Sequence, residues 1–180
     1  IKQHPADRGV LSAYFLNLLH LKKGEAVFLG PNEPHAYLEG TIVECMASSD
    51  NVVRAGLTSK FIDQQTLVDM LTYNDGCPEI MRGETATPGD RSYKVPVPEF
   101  QVEFYTHDEG FVQEYEADGM VSLMLVLEGE VGIEAAGKKV SAGRGSAWLW
   151  PAALETCRFT FQKPGTTIVR AQPNLSRSHT

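Results

Sequence analysis

The apolar positions of the chain keep two rhythms, one helical and one alternating, and the alternating one takes over after the middle. In "DRGVLSAYFLNLL", Leu11, Tyr14, Phe15, Leu18 and Leu19 recur at steps of three and four, the spacing of one helix face. Asp7 precedes them as an N-cap, and Tyr14 and Phe15 are expected in the core of that segment. "EAVFL" follows the turn Lys22-Lys23-Gly24 and reads as a short strand. "TIVECMA", if extended, places Ile42, Glu44 and Met46 on one face, and "NVVRAGLT" does the same for Val52 and Arg54. Helical spacing returns in "DQQTLVDMLTY" through Leu67, Met70 and Leu71.

Residues 74–98 break both rhythms. Pro78, Pro88, Pro96 and Pro98 alternate there with Gly76, Gly83 and Gly89, a composition that predicts a linker or long loop and marks the best domain boundary. Beyond it, "QVEFYTH", "VQEYEA", "VSLMLVLEGEVGIEA", "KKVSAG", "SAWLWPA", "CRFTFQ" and "TTIVRAQ" follow at short spacing, which predicts an all-β sandwich or barrel.

With 180 residues, 42% of them hydrophobic, the chain can bury a sizeable core. A formal net charge of −7 argues against nucleic acid or an anionic membrane as partner, since both select a basic surface. No apolar run approaches the ~18 residues of a membrane span. "IKQHPADRG" has no apolar stretch of the kind a secretory signal needs. Cys45, Cys77 and Cys157 are widely spaced and odd in number, as expected for reduced thiols. The first residue is Ile, which suggests a fragment or a processed chain.

Two stretches echo each other. "GEAVFLGPNEPH" from Gly24 and "GSAWLWPAALET" from Gly145 both begin Gly-x-Ala, continue as a short apolar strand and enter a turn containing proline. The first ends on His35 and the second on Thr156, so only the first offers a metal-capable side chain there. The first hairpin resembles the second motif of the cupin superfamily, with Gly30 and Asn32 in place of its usual proline and glycine.

The stretch "PHAYLEGTIVECMASSDNVVRAGLTSK" resembles the signature of type I mannose-6-phosphate isomerases. The residues that carry the resemblance are His35, Ala36, Tyr37, Gly40, Glu44, Met46, Ala47, Ser49, Asp50, Asn51, Arg54, Ala55, Gly56, Thr58 and Lys60. "YFLNLLHLKKGEAVFLG", "LVDMLTY" and "YKVPVPEF" also resemble the eukaryotic form. Thr41 and Ser59 depart from it where aspartate and proline are common. The resemblance implies a mainly β fold of cupin-type jelly-roll barrels with a few helices. It divides the chain into the end of a helical domain (1–21), part of a catalytic cupin barrel (22–73), a linker or long loop (74–98), and a C-terminal cupin-like barrel without a metal histidine (99–180). The family enzyme is about twice this length, so the chain resembles its C-terminal part.

The resemblance also implies the chemistry. His35 corresponds to one of four zinc ligands; the family's other three, a glutamine, a histidine and a glutamate, come from upstream, and the family's upstream Gln-x-His strand has no counterpart here. Arg54 corresponds to the catalytic arginine, which stabilises negative charge on an enediol. Glu44, Tyr37 and Asp50 are candidates for sugar hydroxyls, and Lys60 for the phosphate. Each also has a plainer reading: Arg54 and Glu44 as a structural ion pair, Tyr37 and Asp50 as structural hydrogen bonders, Lys60 as a solvated lysine. Trp148 and Trp150 share a face and are expected in packing, while His107 is expected on the surface. The implied protein is a cytoplasmic, monomeric, zinc-dependent isomerase of a sugar-phosphate substrate, with no nucleic-acid or membrane partner. Two rivals remain open: a non-catalytic sugar-phosphate-binding or interaction module, and a different cupin enzyme such as a dioxygenase. The latter wants two histidines and a carboxylate in one site.

Overall fold

A computed structural model describes residues 7–49, 51–116 and 118–175. The chain divides into two compact units, one of residues 1–43 and 48–81, the other of residues 44–47 and 82–180.

The first unit carries little regular structure. A 3₁₀ helix spans Arg8–Tyr14, capped as expected by Asp7, whose carboxylate accepts the Gly9 N–H at 2.7 Å. The same carboxylate accepts the Leu57 N–H at 2.8 Å. A Cβ added to Gly56 would lie 2.9 Å from the Gly9 Cα, so glycine is required where these segments cross. Strand β1 (Ala26–Val27) pairs antiparallel with β2 (Ile80–Met81). Helix α1 (Gln64–Met70) starts at Asp63, which accepts the Thr66 N–H at 3.0 Å, and its position matches the apolar spacing of Leu67, Met70 and Leu71.

Three expectations for this region are corrected. "TIVECMA" and "NVVRAGLT" form no strand, because β structure is a ladder between segments and neither stretch has a ladder partner among the described residues. Tyr14 and Phe15 are each 83% exposed; with no second layer over that 3₁₀ helix among the described residues, its apolar spacing faces outward. Residues 74–98 are not loop throughout. They supply β2, and also β3 (Asp90–Tyr93), which joins the C-terminal sheet because Tyr93 is buried and its strand pairs with the next one.

The second unit is a two-sheet sandwich. Strands β4 (Gln101–His107), β6 (Ser122–Glu128), β9 (Ala147–Trp150) and β11 (Thr166–Gln172) join β3 in one antiparallel sheet, ordered β3-β4-β11-β6-β9. Strands β5 (Val112–Glu116), β7 (Glu130–Ala135), β8 (Lys138–Gly143) and β10 (Thr156–Phe161) form the other, ordered β5-β10-β7-β8. These strands lie where the sequence placed them. Met124, Val126, Val131, Phe159, Phe161 and Ile168 fill the space between the sheets. Trp150 is buried and Trp148 packs against the same core, which bears out the packing role expected of both.

The outer faces differ. On the four-stranded sheet, Glu114, Arg158, Glu134 and Lys139 lie side by side in register, with Arg158–Glu114 at 3.5 Å and Lys139–Glu134 at 3.0 Å. On the five-stranded sheet, the row Tyr93, Val102, Ala171, Leu123, Leu149 is apolar, and its far end is open, with Leu123 54% and Leu149 61% exposed.

The interior also holds a polar row. Arg170 donates from Nε to Ser122 Oγ at 2.9 Å, from one terminal nitrogen to Glu103 at 3.3 Å and from the other to Asp118 at 3.0 Å. Its guanidinium carbon lies 5.5 Å from the Trp150 ring centroid. Burial works against the charge, but Tyr105, Glu103 and Asp118 outweigh it and hold the Arg170 pKa above its ordinary value. Burial, reinforced by Glu103, pushes the Tyr105 hydroxyl well up. His107, expected on the surface, is buried. Its Nε2 lies 2.8 Å from Asp90, whose other oxygen accepts from Gln113 at 3.2 Å. The ring stacks on Phe111 at 3.8 Å between centroids. It is inside because even a histidine can be buried once hydrogen-bonded and sandwiched.

Replacing Arg170 with Ala should destabilise the sandwich by about 3–5 kcal/mol, the cost of leaving partly buried carboxylates uncompensated. Arg170→Lys should recover only part, since it loses the fork. Denaturant unfolding followed by tryptophan fluorescence measures both, and a loss under about 1 kcal/mol would show that the row behaves like a surface ion pair.

The thiols offer a second check. Cys157 is 3% exposed and its thiol is pushed up to about 11 by burial, whereas Cys77 is exposed. Because the thiolate is the nucleophile, a disulfide reagent at about pH 8 should label Cys77 rapidly, and Cys157 only on unfolding. Equal rates would mean that the sandwich opens freely.

Candidate functional site

His35 closes a stiff turn. Pro31 and Pro34 have fixed φ, and Asn32 between them is left-handed at φ 65°. The imidazole is exposed, with Nδ1 2.9 Å from the carbonyl oxygen of Glu33. A carbonyl oxygen can only accept, so that contact puts the ring proton on Nδ1 and leaves the Nε2 lone pair for a ligand. Tyr37 sits beside it, ring centroids 5.7 Å apart and tilted by 56°. A structural echo supports the sequence repeat upstream of this turn. Gly24 and Gly145 both have φ 82°, and the residues after them donate to the carbonyls three positions back, Glu25 to Lys22 and Ser146 to Gly143, each at 2.9 Å. Both turns lead directly into a strand, β1 and β9.

The other candidates are placed as follows. Arg54 is exposed and forms no ion pair among the described residues. It lies shortly before the Gly56–Leu57 backbone that Asp7 and Gly9 hold. Lys60 is exposed, and its backbone N–H donates to Thr58 Oγ1 at 3.1 Å. His35, Tyr37, Arg54 and Lys60 belong to the first unit, whereas exposed Glu44 is grouped with the second. Asp50 lies outside the described residues. The structure thus brings His35 and Tyr37 into direct contact and leaves Arg54 and Lys60 open to solvent. A surface groove along Val95–Pro98, Gln101 and Asn174 is lined by none of the candidates.

Sequence reasoning missed the residues around the His35 turn. Thr72 N–H donates to the Asn32 carbonyl at 3.5 Å, and Asn74 Nδ2 donates to Glu33 Oε1 at 3.3 Å. Both donors follow α1, in a stretch whose composition suggests only the end of a helix and the start of a loop.

The chain is 46% identical over 154 residues to mannose-6-phosphate isomerase 2 of Arabidopsis thaliana, a match covering 86% of this chain and 35% of that protein. Over that length the chain is a homologue of the mannose-6-phosphate isomerases. It is 46% identical to the mannose-6-phosphate isomerase of Homo sapiens over 136 residues, 72% of this chain and 32% of that one. The chain therefore spans about a third of the length of these curated relatives. No family model matches it. Among solved structures it is similar to a lysine-to-alanine mutant of the phosphomannose isomerase of Salmonella typhimurium. That match is 26% identical at a TM-score of 0.80 and covers 97% of this chain and 43% of that one. A zinc- and substrate-bound form of the Salmonella enzyme, 24% identical at a TM-score of 0.77, shares the fold. The mainly β architecture is thus the cupin fold of the phosphomannose isomerases.

Zinc suits His35, because a neutral imidazole with a free Nε2 is a normal zinc donor. Among the described residues, however, no group of three or more His, Cys, Asp or Glu is arranged to hold a metal ion. A tetrahedral zinc site takes ~4 ligands, more than a single imidazole offers. Purified by itself and dialysed, it should hold far less than one zinc per chain by elemental analysis; a stoichiometric, chelator-resistant zinc would show that further ligands lie within these residues.

Proposed function

We propose that this chain forms part of a zinc-dependent aldose–ketose isomerase that interconverts mannose 6-phosphate and fructose 6-phosphate. The observation that supports this best is its 46% identity, over 86% of its length, to a protein named mannose-6-phosphate isomerase 2. In this reaction a proton leaves C2 of the aldose and returns at C1, while the C2 hydroxyl proton passes to the C1 oxygen, through an enediol. His35 is one zinc ligand, presenting Nε2. Zinc, when bound, acts as a Lewis acid that polarises the carbonyl and hydroxyl oxygens of the sugar. Arg54, whose guanidinium is not committed to an ion pair among the described residues, stabilises the charge that grows on the enediol oxygens. Tyr37, Glu44 and Asp50 bind sugar hydroxyls, and Lys60 binds the phosphate as a mobile point charge. The protein acts as a cytoplasmic monomer on a sugar phosphate, without a nucleic-acid or membrane partner; among the described residues no helix is long and apolar enough to cross a membrane.

Among the described residues no group of three or more His, Cys, Asp or Glu is arranged for a metal, which favours a second reading for the chain by itself, a non-catalytic sugar-phosphate-binding or interaction module. The two readings part on Arg54. In a family-length protein carrying this sequence, Arg54→Ala should lower kcat by about 10²–10³, the loss of one charge-stabilising contact, with KM changed far less. Arg54→Lys should restore only part, since it keeps the charge without the planar fork. Measuring kinetics and melting on the same sample separates the roles. A variant that melts far below wild type while its folded fraction keeps near-normal kcat would make Arg54 structural and remove it from the mechanism.

A further inference from the structure

The imidazole of His35 is aimed by a backbone carbonyl, and that carbonyl is itself held from outside the turn. The ring contact reaches back only two residues, from Nδ1 to the Glu33 oxygen at 2.9 Å. A contact so local persists only if the Glu33–Pro34 peptide cannot swing. Pro34 restricts Glu33 to extended backbone, and Asn32 is already in a conformation few side chains adopt, at φ 65°. What fixes the turn to the rest of the unit is the chain leaving α1. The Leu71 N–H closes the helix on the Leu67 carbonyl at 3.3 Å. Thr72 then donates its N–H to the Asn32 carbonyl at 3.5 Å. Tyr73 turns left-handed at φ 52° and ties its hydroxyl back to the Val68 carbonyl at 2.9 Å. Asn74 completes the brace, with Nδ2 donating to Glu33 Oε1 at 3.3 Å. Glu33 is thus engaged at both ends, its carbonyl by His35 and its carboxylate by Asn74.

We infer that Asn74 is a positioning residue for the metal-ligating histidine: by holding Glu33 it fixes the Glu33 carbonyl under Nδ1, and so selects the tautomer that presents Nε2 to the metal. The inference rests on the zinc-ligand reading of His35 given above. Groups that orient a ligating histidine through its other ring nitrogen raise metal affinity by restricting ring and tautomer. Here the orienting acceptor is a backbone oxygen, which mutation cannot remove, so the side chain that secures it is where the effect becomes measurable. Thr72 contributes through its backbone N–H, which only proline would remove.

The test reads the ring nitrogens of His35 by ¹⁵N NMR in the chain as given, at about pH 8, where histidine is ordinarily neutral. In wild type the proton should be on Nδ1 and Nε2 should be bare. In Asn74→Ala the population should move toward the Nε2-protonated form. Asn74→Asp, nearly the same size but unable to donate to a carboxylate, should track the alanine variant. Glu33→Gln, whose side-chain oxygen still accepts, should track wild type. Titration with zinc chloride, followed at His35, should then need about tenfold more metal in the two Asn74 variants, the lower end of the usual effect of such supports. A purely structural Asn74 would shift melting and leave the tautomer alone. The inference is overturned if wild type carries the proton on Nε2, or if neither Asn74 variant changes the ring. Should Asn74→Ala unfold the first unit, the comparison of Asn74→Asp with Glu33→Gln decides. Because the tautomer is read without substrate and before metal is added, an isomerase reading that fails leaves this result standing, and the reverse holds too.

Discussion

A backbone N–H or C=O taken out of water needs a partner, and the two units of this chain meet that demand in different ways. In the second unit, antiparallel ladders do nearly all of it: β11 is paired along its length with β4 on one side and β6 on the other. In the first unit the ladder is two residues wide, and side chains take over much of the task. Asp7 accepts two backbone N–H groups from segments far apart in sequence, and Asp63 caps α1. The candidate residues of the first unit are carried on this side-chain-stitched framework. Their positions therefore depend on individual hydrogen bonds more than on a sheet.

That dependence shapes what the site can do. A carbonyl under Nδ1 makes His35 a directed donor, which a freely rotating surface imidazole is not. Arg54 is close to the Asp7-held backbone at Leu57, yet among the described residues its side chain forms no ion pair, the condition a charge-stabilising group needs if it is to bind more strongly as charge develops. The second unit shows the opposite use of an arginine. Arg170 is surrounded by acceptors and by a tryptophan face, and its donors are spent on Ser122, Glu103 and Asp118.

Much of the fold was legible in the sequence. The C-terminal strands came from alternation and turn residues, and α1 from Leu67, Met70 and Leu71. The faces were harder to read. On β4 the apolar Val102 and Phe104 point outward, while Gln101, Glu103, Tyr105 and His107 point inward. An interior that is itself polar inverts the usual reading of alternation, and it takes in even His107, which as a lone histidine before the turn Asp108-Glu109-Gly110 was expected outside. Glu44 and Arg54 drew attention as charges in apolar runs that suggested strands, but strand formation depends on a partner segment that no local pattern reveals. The residues of the candidate site came from a signature of residue types at fixed spacing, which says nothing of the bond between Asn74 and Glu33. That bond joins positions 41 apart in sequence, through side chains common in any loop.

The unlike outer faces of the sandwich give dissolved salt two opposed actions on one small unit. Counter-ions screen the Glu114–Arg158–Glu134–Lys139 ladder within a Debye length of about 8 Å at physiological ionic strength, loosening a face that contributes little to stability. Strongly hydrated anions such as sulfate raise the cost of keeping Leu123 and Leu149 wet. Concentrated sulfate would thus leave the charged sheet almost indifferent while driving the leucine end of the other sheet out of water, so that within this unit salting-out acts through one sheet only.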